Sequence, residues 1–327
     1  MDTYTSDSGS VSRFAMATGL SPAGREKETT TDSSDRHLLL TLSKHSKAGA
    51  GLEFISHFFT SKEHVRLTLM HIPPSQAAVW AEETSYESLD ALESQAAAAD
   101  KKGRLVIDQA RRKLVAAGFD KEKIESKVPS VQKSKAHDIV REARKGRYDA
   151  VVLGRRPQMG LADVMDQSLC RELLEGLADS ISFPVWICRL PEKGRKNVLL
   201  CVDGSDPSER MADHTGFILA REPGHTVTVF HVHDPSKSNP LDAEGVIERT
   251  VDVLKEAGMP EDRIVTLIQR GANPARLIQE KYDAGNFAAV AIGSAGSGRG
   301  FWNKLFVGSV ARDVFKELHG AAMWICF

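Results

Sequence analysis

Asn197-Val-Leu-Leu-Cys-Val-Asp-Gly-Ser205 repeats an earlier stretch of the chain, Asp35-Arg-His-Leu-Leu-Leu-Thr-Leu-Ser43. Two further matches follow in the same order: Phe287-Ala-Ala-Val-Ala-Ile-Gly293 with Tyr148-Asp-Ala-Val-Val-Leu-Gly154, and Met323-Trp-Ile-Cys326 with Val185-Trp-Ile-Cys188. A repeat of roughly 140 residues is far longer than the unit of a solenoid. Each block is therefore a whole domain, and one fold occurs twice.

Within each block, short apolar runs of strand length alternate with helical stretches. This alternation is typical of a parallel sheet covered by helices on both faces. Right-handed crossovers then give a doubly wound five-stranded domain. We therefore predict an α/β fold of two tandem Rossmann-like domains. The long helical stretch at residues 75–118 is expected to break near Lys102-Gly103.

Composition places the chain among soluble globular proteins. Its 327 residues agree with about two domains, and a net charge of −1 gives no footprint for nucleic acid. No apolar run approaches the length of a membrane span, and no secretory signal is evident, so a cytoplasmic location is expected. We predict a disordered tail at residues 1–34, domains at 35–190 and 197–327, and a polar linker at 191–196.

The cysteines form no C-x-x-C pair, and three of the four lie in apolar strand-like runs. One interpretation is buried free thiols in a reducing compartment. The alternative is a disulfide between Cys188 and Cys326, which occupy equivalent positions of the repeat and would approach each other if the two copies paired about a pseudo-two-fold axis.

Residues suited to an anionic ligand gather at strand ends of the second block. Asp203 follows its first strand, glycines fill residues 293–300 after the fourth, and Gly308-Ser309 opens the next helix. Ligands of open parallel sheets bind at the carboxyl ends of the strands. Glycine lets the backbone N–H groups and a helix start approach a phosphate. Asp203 is suited to holding magnesium.

These motifs resemble the universal stress protein family, and the pair of blocks resembles its tandem members. The resemblance covers residues 36–327 and rests on Val202-Asp-Gly-Ser205, Phe230-His-Val232, Arg270-Gly271, Ile292-Gly293 and Gly308-Ser309. It implies an adenine nucleotide alpha hydrolase-like fold that binds ATP, AMP or ADP with Mg²⁺, with Asp203 near the phosphates and the magnesium. The remaining residues of the implied site are Val202, Val232 and Ile292 at the base, and Gly293, Gly296, Gly298, Gly308, Ser309 and Val310 at the phosphates.

The two blocks depart from the family pattern in different ways. In the second, eleven residues separate Gly296 from Gly308 where the family has nine, and counting from Gly298 restores nine but spoils the first gap. In the first block, Pro157 and Gln167 replace two glycines and Ser43 replaces the aspartate. Proline also removes an N–H donor. The second block is therefore the expected nucleotide site.

Several functions remain open from the sequence. The first is a stress-response sensor or adaptor that binds nucleotide with slow or no hydrolysis, because no residue is clearly placed to activate water. The second is a scaffold with both sites degenerate, and the third an adenylating ligase. His231 and His233 are also a conceivable metal pair. The resemblance further implies that the two Trp-Ile-Cys strands pair within one molecule as a pseudo-dimer, while a homodimer stays open.

Overall fold

The computed structural model describes residues 35–42, 49–71, 86–129, 134–154, 172, 181–236, 242–294 and 309–327. Half one contains β1 (Arg36–Leu42), α1 (Ala50–Phe58), β2 (Val65–His71), α2 (Tyr86–Ala116), β3 (Ile124–Lys127), α3 (Lys135–Gly146), β4 (Ala150–Gly154) and β5 (Val185–Cys188). Half two contains β6 (Asn197–Val202), α4 (Asp206–Leu219), β7 (Val227–His233), α5 (Ala243–Glu256), β8 (Ile264–Arg270), α6 (Pro274–Asp283), β9 (Phe287–Gly293), α7 (Ser309–Glu317) and β10 (Ala322–Cys326).

All ten strands form one sheet in the order β3-β2-β1-β4-β5-β10-β9-β6-β7-β8. Within each half, the described pairs are parallel, and the first strand of the half lies between the second and the fourth. Helices cover both faces, with α1, α2, α4 and α5 on one and α3, α6 and α7 on the other. The expected α/β fold of two doubly wound units is confirmed.

The halves join through β5 and β10, which pair antiparallel with Trp186 directly opposite Trp324. The two indole rings stack with centroids 4.2 Å apart and planes 7° apart. Both tryptophans are fully buried, and the Trp186 Nε1 atom donates to His214 Nε2 of α4 at 3.0 Å. This pairing is the intramolecular contact that the resemblance implied for the two Trp-Ile-Cys strands.

A group of polar contacts, which we call the seam, links the two halves at the amino ends of their strands. Its centre is the fully buried carboxylate of Glu222, which follows α4. Glu222 accepts hydrogen bonds from the backbone N–H of Thr60 at 2.7 Å and from the Thr60 hydroxyl. The His225 Nε2 atom lies 2.8 Å from the Phe58 carbonyl oxygen, and Arg36 of β1 donates to the Phe217 carbonyl at 3.1 Å. The seam therefore fastens the loop after α1 to the loop after α4.

The suggested disulfide between Cys188 and Cys326 is wrong. Both thiols are free and buried. Because β5 and β10 run antiparallel about the tryptophan pair, Cys188 lies opposite Ala322, and Cys326 lies at the other end of the ladder. Equivalent positions of a repeat meet in such a pairing only at the pseudo-two-fold axis itself.

The expected break in the long helix of half one is also wrong. Helix α2 runs without interruption through Gly103. A Cβ atom at Gly103 would lie 2.7 Å from Cδ2 of His71, so this glycine lets the helix approach the end of β2. Its intrinsic cost of about 1 kcal/mol within a helix is offset by packing. None of the helices in the described ranges has the length and apolarity that a membrane span requires.

Candidate functional site at the strand ends of half two

The carboxyl end of β6 turns sharply into α4 through Asp203, Gly204 and Ser205. Gly204 has a φ of +78°, a left-handed conformation that glycine adopts without strain. The Oδ1 atom of Asp203 accepts hydrogen bonds from the Ser205 backbone N–H at 3.0 Å and from its hydroxyl at 2.6 Å. The turn therefore fixes the Asp203 carboxylate at the edge of the sheet, partly exposed to solvent.

The start of α4 is capped by the same turn. The Ser205 Oγ atom accepts from the Ser208 backbone N–H at 3.4 Å, and Pro207 occupies the first turn, as helix starts favour. The Ser208 hydroxyl oxygen in turn accepts from the Asp203 backbone N–H at 3.3 Å. Asp203 is thus held at both its side chain and its backbone.

Gly293, at the end of β9, lies directly against this first turn of α4. A Cβ atom at Gly293 would lie 2.7 Å from the Ser208 nitrogen and 2.9 Å from the Pro207 carbonyl carbon. Gly154 shows the same close approach to α1, since a Cβ atom there would lie 3.1 Å from the Gly51 nitrogen. Strand-to-helix packing therefore requires both glycines, a reason that is independent of any phosphate.

The chain after β9 remains bound to β10, since the Ser294 N–H donates to the Cys326 carbonyl at 2.7 Å. The Arg210 Nε atom of α4 donates to the Phe327 carbonyl oxygen at 3.0 Å. The ends of β9 and β10 and the start of α4 thus form one rigid corner. The Gly-rich segment follows Ser294 directly in the sequence.

His231 of β7 is buried at this edge of the sheet, where it is 3% exposed. Its Nδ1 atom lies 2.8 Å from the Val202 carbonyl oxygen and holds the ends of β6 and β7 together. His71 repeats this contact with the Leu42 carbonyl at 3.1 Å in half one. Sequence reasoning considered His231 only as a metal ligand and missed this role, which its equivalence to His71 could have suggested.

Metal binding by the histidine pair receives no support from the geometry. His231 is buried, while His233 is half-buried and its carbonyl oxygen accepts from the Gly271 N–H at 3.0 Å. Within the described ranges, no group of three or more histidines, cysteines or acidic residues is arranged to hold a metal.

The structure brings several of the expected site residues to one edge. Val202, Asp203, Val232 and Gly293 lie at the carboxyl ends of β6, β7 and β9, and Ile292 is buried just inside the edge. Ser309 is exposed and opens α7, and Val310 follows it, half-buried. The other three expected residues, Gly296, Gly298 and Gly308, lie outside the described residues.

The cysteines near this edge are not poised as nucleophiles. Burial raises the pKa of the Cys326 thiol to about 12, and burial raises the pKa of Cys201 further. Thiols attack as thiolates, so both stay inert near neutral pH. Both sulfurs serve packing instead.

The corresponding edge of half one is built differently. Helix α1 begins at Ala50, and its cap residue Gly49 makes no side-chain hydrogen bond, in contrast to Ser205. Leu42 ends β1 where Val202 ends β6. Ser43, Pro157 and Gln167 lie outside the described residues.

The fold and this edge define the class as a tandem pair of doubly wound α/β units with a candidate ligand site at the strand ends. The chain belongs to the universal stress protein family, whose model matches residues 36–189 and 194–320. Among curated proteins, no sequence matches the chain significantly.

Solved structures of other proteins are similar to this fold. A universal stress protein from Archaeoglobus fulgidus DSM 4304 has a TM-score of 0.61 at 17% identity, over 89% of this chain and 97% of that chain. A functionally unknown protein from Pseudomonas aeruginosa PAO1 has a TM-score of 0.48 at 16% identity, over 90% and 92%. A universal stress protein from Archaeoglobus fulgidus in complex with dAMP is 23% identical, with a TM-score of 0.29, over 40% of this chain and 96% of that chain.

Proposed function

We propose that this universal stress protein binds an adenine nucleotide, ATP or AMP or ADP, at the carboxyl edge of half two. The observation that carries the proposal is the Asp203 carboxylate, which Ser205 fixes at the partly exposed carboxyl edge next to the start of α4. The glycines that follow Gly293 in the sequence would let backbone N–H groups approach a phosphate. Asp203 supplies the carboxylate that a magnesium–phosphate complex needs.

In this proposal Val202, Val232 and Ile292 contact the base. They lie at the ends of three adjacent strands, with Val232 and Ile292 packed on one face of the sheet and Val202 on the other, and Val202 and Ile292 are buried. Gly296, Gly298, Gly308, Ser309 and Val310 contact the phosphates. The start of α7 contributes unpaired N–H groups and the positive end of the helix dipole, which favour an anion.

We propose further that the protein acts as a sensor or adaptor in the cytoplasm and not as an efficient catalyst. The support is chemical: the described thiols near the edge are buried, and the Asp203 carboxylate is engaged in a turn. Residues 35–190 would form a degenerate domain and residues 197–327 the nucleotide-binding domain, joined by the linker 191–196 and preceded by a tail at 1–34.

The test is the nucleotide content of the purified protein. Denaturation followed by chromatography should release an adenine nucleotide, and added Mg-ATP should raise the melting temperature of the stripped protein. Asp203→Ala should weaken Mg-ATP binding at least tenfold because the magnesium handle is removed. The matched control is Ser43→Ala at the equivalent position of half one, which should bind like the wild type.

Three outcomes would contradict the proposal. Absence of released nucleotide together with no thermal response to Mg-ATP would favour the alternative of a scaffold with both sites degenerate. Equal loss of binding in Asp203→Ala and Ser43→Ala would place the ligand elsewhere. Rapid turnover of ATP would instead point to an enzyme.

A further inference from the structure

The two outer strands of the sheet differ in how they are protected. Edge strands expose unpaired backbone groups, and proteins usually guard them with short length, charges or proline. Strand β3 has four residues, and its Lys127 donates to Glu142 at 2.5 Å while Glu125 pairs with Arg66. Strand β8 has seven residues, and its first six contain no charge and no proline. Only β3 therefore carries the usual protection.

Strand β8 also presents apolar side chains to solvent on both faces of the sheet. Val265 is 52% exposed and Ile268 is 39% exposed. Successive side chains of a strand point to opposite faces, so these two residues lie on different sides. Each face of the sheet therefore carries one exposed apolar side chain at this edge.

The hydrogen bonds of β8 identify which backbone groups point away from the sheet. The Gly271 N–H donates to the His233 carbonyl of β7 at 3.0 Å. Backbone groups alternate in direction along a strand, so residues 265, 267 and 269 also face β7. Ile264, Thr266, Ile268 and Arg270 therefore direct their N–H and C=O groups outward, where no described strand pairs with them.

We propose that β8 pairs antiparallel with β8 of a second copy of this chain, about a two-fold axis at Leu267. In this register Thr266 lies opposite Ile268 of the partner subunit, and Ile264 lies opposite Arg270 of the partner subunit. All four outward residues are then hydrogen-bonded, each pair exchanging two N–H···O bonds. Val265 and Ile268 become buried between the two sheets' margins.

Charge complementarity favours a second copy as the occupant. The turn before β8, residues 261–263, carries two exposed acidic side chains, Glu261 and Asp262, and the exposed Arg270 ends the strand, while Arg263 is directed inward and donates to the Glu222 carbonyl oxygen. In the proposed register Arg270 lies opposite Ile264 of the partner subunit, next to the acidic turn that leads into that strand. The two-fold axis produces this pair twice. A parallel pairing would instead place like ends of the strands together.

One strand from each copy contributes little buried area compared with the roughly 1,600 Å² of a standard interface. The dimer is therefore weak, with a dissociation constant on the order of micromolar. It depends on concentration and leaves the carboxyl edge of half two accessible. The inference is independent of nucleotide binding.

The experiment measures the oligomeric state of the full chain by sedimentation velocity from about 1 to about 100 μM, a range that brackets the expected dissociation constant. The wild type should shift from monomer to dimer. Ile268→Lys, which places a charge on the edge, should raise the dissociation constant at least tenfold. Ser126→Lys, the matched change on β3, should leave it unchanged.

A charge exchange tests the register. Arg270→Asp and Asp262→Arg should each weaken the dimer, because each brings like charges together, and the double variant should restore at least half of the loss. Circular dichroism confirms that each variant is folded. A wild type that stays monomeric across the range overturns the proposal. A dimer insensitive to all of these changes also overturns it.

Discussion

His214 links the stability of the protein to pH through the tryptophan pair at the junction. The imidazole is almost fully buried and accepts the Trp186 N–H at 3.0 Å, so it must be neutral. Burial lowers the pKa of His214 from about 6.5 to about 3 in the folded protein. We expect acidification below neutral pH to destabilise the junction.

The sign follows from proton binding. A histidine whose folded pKa is depressed binds more protons in the unfolded chain, so its contribution to stability is present above pH 6.5 and is lost as the pH falls toward 3. Between pH 7 and pH 5 the loss amounts to about 2 kcal/mol of unfolding free energy, from the 1.36 kcal/mol that corresponds to each pKa unit. That is a large fraction of a typical stability of about 5–15 kcal/mol.

His214→Gln separates titration from hydrogen bonding, because the glutamine carbonyl oxygen still accepts from Trp186 but does not titrate. Urea unfolding followed by tryptophan fluorescence at pH 7 and pH 5 should show a loss smaller by about 2 kcal/mol in this variant than in the wild type. His214→Leu should lose the slope as well, and should lose about 1–3 kcal/mol at pH 7 from the unpaired indole N–H. Equal pH slopes in the wild type and His214→Gln would refute the reasoning.

Two further changes test the seam and the corner. Glu222→Ala should lower the unfolding free energy by about 3 kcal/mol in urea titrations, because the buried Thr60 N–H and hydroxyl lose their acceptor. Glu256→Ala, a change at an exposed residue, serves as the control. A loss below about 1 kcal/mol in Glu222→Ala would contradict this explanation. Gly293→Ala should lower the unfolding free energy by about 1–3 kcal/mol and weaken Mg-ATP binding in calorimetry, because the added methyl group displaces the first turn of α4 at Ser208. Unchanged stability would show that this turn moves without cost and would contradict the packing role of Gly293.

The central strands were predictable because they are apolar runs of strand length. The runs at residues 38–40 and 198–200 are fully buried in the sheet, as their composition indicates. The repeat itself supplied the rest of the architecture, since a feature present twice in the same order reflects the fold. The pairing of the two Trp-Ile-Cys strands came from the family resemblance.

Contacts between the halves were beyond sequence reasoning. Glu222 and Thr60 meet only because the two helices converge over the sheet, and nothing in either stretch indicates a partner so distant in the chain. The proposed disulfide failed for a related reason, since antiparallel pairing separates equivalent cysteines. The sequence analysis selected Gly293 as a glycine suited to a nearby phosphate. Its close packing against α4 became visible only in the structure.

The antiparallel junction of β5 and β10 also determines how independent the two ligand edges are. The strands of one half run against those of the other across this junction. The seam joins the two amino-end loops, so the carboxyl edges point away from each other. Because both halves belong to one polypeptide, the two edges can carry different residues, as Asp203 and Ser43 show in the sequence, whereas two identical subunits encoded by one gene cannot differ in this way.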